Sequence, residues 1–514
     1  MLHKGLVMLT WLSLLLSIPL LVACAAPSPS PTAVPKPSAT ASPTPTRPAP
    51  IVRPPAVVGA FYPDDPAELE AMVDGFLKQS RQLPQEPLVL IAPHAGYVYS
   101  GAVAGSAFAQ LRGREYDVAV VLGTNHHIAG LQTMAIWPSG AYSTPLGLMP
   151  IDSELAQRIM EAAPDYFVAN RQAQLPEHSI EVELPLLMRA VGSIPFVPIL
   201  VGQPSWENLE QLADVLASAL EGQRAVIIAS TDMSHYPNYE DAVEVDASTL
   251  LSIASLEPEA VMRNAQIWMA RGVDNLVCTL CGEGPTILAM MVAQKLGATR
   301  ATVLQYANSG DLPFGDKNHV VGYGAVMFWE GQTLRLDQRQ QEWLLQQARE
   351  ALEQHLSTET AAVVTTTEPA LLQPSGAFVT LKKQGQLRGC IGSLSGNREL
   401  YRTVQEIAVA AATQDRRFAP VVLQELLELT VEISVLSPLE YLKDPSDVRV
   451  GRDGLYVSAG PYSGVLLPQV ATEQAWSREE FLNQVCVKAG LAQDAWQQGA
   501  ILYRFEAQAF SEEE

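Results

Sequence analysis

Four of the eight histidines in the chain, His94, His126, His127 and His235, follow closely on apolar runs rich in Val, Ile and Leu. The run at 88–92 leads into Pro93-His94-Ala95-Gly96-Tyr97, that at 118–122 into Gly123-Thr124-Asn125-His126-His127, and that at 225–229 into Ser230-Thr231-Asp232-Met233-Ser234-His235. Neutral imidazole is the commonest ligand for first-row metals, so these segments form a metal site if they meet. Cys281, in Leu280-Cys281-Gly282-Glu283-Gly284-Pro285, precedes a helix-like stretch. A thiol at a helix start has its pKa lowered by the positive end of the dipole, so two histidines and this cysteine would make a metal triad. Glu177-His178-Ser179-Ile180-Glu181-Val182-Glu183 adds a histidine and carboxylates, with His178 as an acid or base and Glu181 as a support for the ligands. His127 points away from its neighbour His126 and is read as a support from outside. A single histidine at a strand end is usually only hydrogen-bonded; it is the convergence that points to a site. Cys278 and Cys281 have a Cys-x-x-Cys spacing, which leaves open a disulfide that would remove the thiolate.

These residues need a scaffold that gathers strand ends. Apolar runs at 88–92, 118–122, Phe196–Val201, 225–229 and 303–306 alternate with helix-like stretches at 66–78, Ser153–Ala162, 206–220 and 284–295. That is the pattern of an α/β fold, a largely parallel sheet with flanking helices, whose ligand crevice lies outside the carboxyl ends of the strands. The run at 322–329 closes this domain. A polar helix at 337–356 then opens a second unit, α+β and more antiparallel in texture, with strands at 377–382, Leu429–Leu436 and 454–458; the boundary falls at 331–336. Here Leu387-Arg388-Gly389-Cys390-Ile391-Gly392 joins a flexible turn, a cation and a thiol. Arg388 would favour a Cys390 thiolate with a nucleophilic or redox role, or the turn forms a partner-binding groove. His355 is the one histidine in this unit, which leaves little material for a Cys-His dyad.

Length and composition agree with two folded domains: 514 residues, 48% hydrophobic. With 55 acidic against 33 basic side chains the net charge is −22, which repels phosphate backbones and argues against nucleic-acid binding. Five scattered cysteines are no disulfide framework. Residues 1–24 read as a signal peptide, with Lys4 ahead of an apolar run ending Leu21-Val22-Ala23-Cys24. Residues 25–53 form a Pro/Ser/Thr-rich disordered tether; 11 of the 37 prolines fall between positions 26 and 55.

The end of the signal resembles the lipobox of bacterial lipoproteins, which implies lipidation of Cys24 and anchoring at the cell membrane or outer membrane, facing the extracytoplasmic side. The five motifs around His94, His126, His178, His235 and Cys281 occur in the order found in the Memo family, and residues 54–331 resemble that family throughout. The resemblance implies a fold similar to class III extradiol dioxygenases, with His94, His126 and Cys281 as metal ligands and Asp232 and His235 close to the metal as further ligand or acid–base groups. Those dioxygenases use a glutamate where this chain has a thiol, so ring cleavage does not follow from the fold; iron stays the first expectation, copper the second and zinc the third. Residues 335–510 are similar to the AMMECR family, through the Leu-Arg-Gly-Cys-Ile-Gly core that contains Arg388, Gly389 and Cys390. Memo-like and AMMECR-like proteins are components B and A of the AmmeMemoRadiSam system. The resemblance therefore implies a B/A fusion acting on one substrate, a peptide among them, or on one partner, of which a radical-SAM enzyme is the cytoplasmic example. A non-haem iron oxidoreductase is the leading expectation. A metal-binding scaffold without turnover and a metal hydrolase are the alternatives.

Overall fold

The computed structural model describes residues 51–332, 335–358 and 365–512. Cys24 and nearly all of the tether lie outside the described residues. Among those described, no helix is long and apolar enough to cross a membrane.

The strands Pro87–Ala92, Val118–Thr124, Phe196–Val201 and Ala225–Ser230 are buried along almost their whole length, as their Val, Ile and Leu content requires of strands covered on both faces. In the sheet they stand in the order Pro87–Ala92, Ala225–Ser230, Val118–Thr124, Phe196–Val201, and all are parallel. The sheet as a whole is mixed, which corrects the expectation of a largely parallel one. Gly322–Trp329 runs antiparallel to Pro87–Ala92 and to its outer neighbour Arg300–Asn308, because the chain returns from Asn308 without a crossover helix. At the other edge Met134–Ile136 is antiparallel to Phe196–Val201 and parallel to Phe167–Ala169.

Helices cover both faces. Pro66–Gln79, Tyr97–Phe108 and Ser179–Val191 bury Leu69, Val73, Phe108, Ile180 and Leu184 on one side. Ser153–Ala162, Trp206–Ala219, Pro258–Arg271 and Glu283–Lys295 bury Leu155, Leu212, Val261 and Leu288 on the other. Tyr97–Phe108 has no polar stripe, so it carries no helical periodicity; its Gly101 lies so close to the Phe76 ring that a Cβ would meet it at 2.4 Å.

The second unit is an antiparallel sheet in the order Gln386–Ser393, Ala377–Lys383, Leu429–Leu436, Ile501–Ser511, Asp453–Ala459, Tyr462–Leu466. Helices Gln338–Thr358 and Leu400–Thr413 pack their apolar stripes on it. It docks on the helices Tyr239–Ala254 and Pro258–Arg271 through Ala260 against Tyr503 and Phe505, and through a Ser252 Oγ to Tyr503 Oη contact of 3.1 Å.

The N-terminal edge of the first unit depends on one buried ion pair. Val52–Arg53 pairs with Ala141–Thr144. From there Arg53 Nη1 reaches Glu181 Oε2 at 2.7 Å, with side-chain exposures of 1% and 0%. Arg53 also donates to the carbonyls of Gln174, Leu175 and Glu177. Glu181 accepts from Ala56 N, Val57 N and Tyr62 Oη. Its carboxylate is thus spent on the entering chain, and it makes none of the ligand-supporting contacts expected of it. Removing one partner leaves a buried charge uncompensated: Arg53→Met is expected to lose about 3–5 kcal/mol in chemical denaturation, and Arg53→Met/Glu181→Leu much less.

Candidate metal centre

The strand ends converge. His94 follows Pro87–Ala92, His126 follows Val118–Thr124, and His178 caps the Ser179–Val191 helix, which is drawn against the second strand by Gly123. A Cβ on Gly123 would stand 2.4 Å from Ile180 Cγ1 and 2.8 Å from Ser179 Oγ, so glycine is what permits this approach.

One ligand atom from each of His94, His126 and His178 lies within 4.8 Å of the others, a group able to hold a metal ion. The rings of His126 and His178 stack at 4.6 Å, and His94 stands edge-on to both at 5.0 and 5.4 Å. The outward nitrogens are engaged: His126 Nδ1 meets Glu177 Oε1 at 2.9 Å, and His94 Nδ1 meets Ser230 Oγ at 2.9 Å. That leaves Nε2 of each as the donor, as in metal sites whose histidines are oriented from behind. Burial lowers the pKa of His178 to about 4 and that of His94 well below its ordinary value, so both imidazoles are neutral and available as ligands at neutral pH. Burial pushes the Glu177 carboxyl up, but the His126 ring and the amides of Ser179 and His126 outweigh it and hold this group well below the carboxylate range. The donor set and its supports fit a metal.

The remaining expected residues divide. Cys281 Sγ lies 3.4 Å from His94 Nε2 and accepts from Asp232 N at 3.2 Å, so it adjoins the cluster on the His94 side. Its thiol pKa is raised by burial and by the Asp232 charge, against the expectation of a helix-lowered one; the helix begins only at Glu283. Cys278 and Cys281 are both free thiols. Asp232 Oδ1 accepts from His94 N and Ala95 N, and burial raises its pKa to about 7. His235 sits on the same loop with its Nε2 buried and unpartnered, and burial lowers its pKa to about 4. His127 is exposed, its ring 6.5 Å from that of His178. His178, read from the sequence as an acid or base, lies inside the donor cluster, and the supporting carboxylate is Glu177, not Glu181. The signal for Glu177 is its place directly before His178, where its carboxylate can turn back onto the helix amides. Ser230, the last residue of its strand, carried no signal beyond that position.

In the second unit Cys390 lies on the edge strand Gln386–Ser393. Asp415 Oδ2 accepts from Cys390 N at 2.8 Å and Arg417 donates to Cys390 O at 3.1 Å. Arg388 is committed to Glu425 Oε2 at 2.9 Å and the Ala419 carbonyl at 2.8 Å. Gly389 is required by packing, since a Cβ there would meet Ala411 O at 2.3 Å.

A mixed α/β protein with a histidine cluster at the carboxyl ends of its strands defines a candidate metal-binding class. Residues 53–327 match the family model described as Memo-like protein, and residues 345–510 match that described as AMMECR1. The chain belongs to the Memo-like protein family. A MEMO1 family protein of Desulfurococcus amylolyticus is 33% identical over 295 residues, covering 54% of this chain and 99% of the relative. One from Methanosarcina mazei is 36% identical over 284 residues, covering 54% and 98%. Among solved structures, an uncharacterised protein of Pyrococcus horikoshii is 41% identical, covering 34% of this chain and 91% of its own, with a TM-score of 0.32.

Two outcomes follow. Glu177→Gln removes the charge behind His126 and is expected to weaken metal binding about 10–100-fold in a metal titration. Glu425, held at about 2 chiefly by its hydrogen bond from Arg388, stabilises the second unit above the ordinary glutamate pKa, and this contribution is lost as pH falls through about 2. Glu425→Gln is therefore expected to cost about 1 kcal/mol at neutral pH and progressively less in denaturation measured as the pH is taken down through about 2.

Proposed function

We propose that this chain is an exported, iron-dependent oxidoreductase of the AmmeMemoRadiSam B/A type, with copper as the second choice of metal. The observation that carries the reading is the meeting of His94, His126, His178 and Cys281 at the ends of separate strands and a helix. His94 and His126 hold the metal from two strands. His178, in the same donor group, and Cys281, beside His94, would complete the set. An iron ion so held would supply redox chemistry with dioxygen or an organic substrate. The protein's part is to keep the His94 and His178 imidazoles neutral by burial, to aim His126 and His94 through Glu177 and Ser230, and to present Asp232 and His235 as groups that hold or accept a proton beside the reacting position.

The resemblance to class III extradiol dioxygenases supports the reading at the level of fold, and the thiol at the third ligand position sets this centre apart from theirs. The lipobox-like end of the signal supports a lipid anchor at Cys24 on the extracytoplasmic side. There the partner would be an exported peptide or small molecule, since radical-SAM enzymes are cytoplasmic. Arg388, Gly389 and Cys390 are assigned to the architecture of the second unit and not to the reaction.

Elemental mass spectrometry on anaerobically purified protein is expected to show stoichiometric iron in the parent and its loss in His94→Ala and Cys281→Ala. Absence of metal after reconstitution with iron or copper, or metal retained in both variants, would overturn the assignment. Metal that binds tightly with no oxygen uptake on any aromatic or peptide substrate would favour a metal-binding scaffold.

A further inference from the structure

Behind His94 and Ser230 lies a buried carboxyl, Glu183, that the proposed chemistry does not use. Ser230 Oγ is surrounded by three atoms: the Ser179 carbonyl oxygen at 2.6 Å, Glu183 Oε1 at 2.8 Å and His94 Nδ1 at 2.9 Å. All four residues are buried, none more than 1% exposed. A hydroxyl has one proton to give and two lone pairs with which to accept. The carbonyl oxygen can only accept, so the hydroxyl proton goes to Ser179. The two other neighbours must then donate to Ser230. His94 does so if its proton is on Nδ1. Glu183 does so if its carboxyl is neutral, with the proton on the oxygen that faces the serine. An ionised Glu183 would have to take the hydroxyl proton, leaving Ser179 O and Ser230 Oγ with lone pairs opposed at 2.6 Å.

The surroundings agree with a neutral acid. The Oε2 atom of Glu183 is buried without a partner, and no Lys or Arg contact to this carboxyl exists among the described residues. Ionising such a group would bury a bare charge, which costs far more than an unfilled carbonyl lone pair. Burial outweighs the lowering effect of the Ser230 hydrogen bond and, with Asp232 adding to it, pushes the Glu183 carboxyl well above its ordinary range. On the far side of His94 the map closes in the same sense. With Nδ1 protonated, Nε2 is a lone pair, and the Cys281 thiol 3.4 Å away can donate to it.

We propose that Glu183 is a neutral buried acid that, through Ser230, fixes His94 in its Nδ1–H form and so turns Nε2 toward His126, His178 and Cys281. Glu183 is a positioning residue, two side chains removed from the donor atom. The value of this arrangement as a metal donor rests on the function proposed above; the proton map itself does not. Deprotonating Glu183 or deleting Ser230 would free His94 to place its proton on Nε2, where it cannot bind a metal.

The test reads the proton map without metal and the metal affinity separately. In metal-free, isotope-labelled protein, nitrogen NMR is expected to show His94 as the Nδ1–H tautomer. At neutral pH the infrared difference between parent and Glu183→Gln is expected to show loss of the carbonyl stretch of a neutral carboxylic acid. In titrations with cobalt(II), Glu183→Gln keeps an amide donor toward Ser230 and is expected to bind close to the parent, whereas Ser230→Ala and Glu183→Ala lose about 10–100-fold. An Nε2–H tautomer, the absence of the neutral-acid band, or a Glu183→Gln loss as large as that of Glu183→Ala would overturn the proposal. If Glu183→Ala does not fold, the tautomer, the infrared band and the glutamine variant still decide. Should the parent take up no cobalt while both spectra are as expected, the proton map is upheld and the metal reading is what fails.

Discussion

The segment from Glu177 to Glu183 sends polar side chains into space that water does not reach, and each must be matched there or cost about 1–3 kcal/mol. Glu177 takes the His126 ring and three backbone amides; Ser179 donates to Thr124 O and receives the Ser230 hydroxyl; Glu181 closes on Arg53; Glu183 meets Ser230. Two strand ends and the entering chain are thereby tied to this one segment at the head of the helix Ser179–Val191, and His94 is tied to it through Ser230. A sliding of that helix along the sheet would break several of these bonds together, so the spacing of the histidines is as rigid as the helix itself. The absence of a side chain at Gly123 and the presence of Ile180 against it set the distance at which the ties can form.

How much of this the sequence discloses depends on what burial leaves visible. The strand ends carrying His94, His126 and His235 are legible because Val, Ile and Leu runs stop where the chemistry starts. Strand direction is not: Gly322–Trp329 is buried at every residue, as a parallel strand would be, yet it runs antiparallel to both neighbours. The helix Tyr97–Phe108 is hidden for the same reason, since a helix buried all round has no polar face to give it a period. At the centre, Cys281 is legible as a candidate, but the helix dipole is the one influence on its ionisation that the sequence displays. The desolvation that overrides the dipole belongs to the tertiary fold. The place of His178 among the donors depends on how a helix cap is turned, which no spacing encodes.

The second unit shows the converse, a motif that looks reactive and is explained by packing. The strand bearing Cys390 is the outer edge of its sheet, and an edge strand leaves backbone donors and acceptors without partners. Asp415 and Arg417 bond one to the other and supply an acceptor and a donor to Cys390, standing where the next strand would be. Arg388 fastens the same covering loop by its carbonyl at Ala419. Gly389 lets the Leu400–Thr413 helix approach, and Gly392 faces the Phe378 ring, which a Cβ would meet at 2.2 Å. The segments 387–392 and 415–420 are thus two halves of one edge cap.

The position of the second unit then bears on the first. It packs on Tyr239–Ala254 and Pro258–Arg271, with Lys443 on Glu259 at 2.7 Å and Arg263 on the Gly499 carbonyl at 3.3 Å. These two helices are the span of chain between the Asp232–His235 loop and Cys281. The loop's own anchor, Asp246, accepts from Ser234 N out of the first of the helices. Where a helix pair is held on one side by a sheet and on the other by a docked domain, its ends lose the freedom that a surface loop would keep. Asp232 and His235 lie in the loop that enters this pair, and Cys281 lies in the segment that leaves it. The fusion of the two units in one chain therefore has a local physical consequence: it backs the helices beside the centre with a second core.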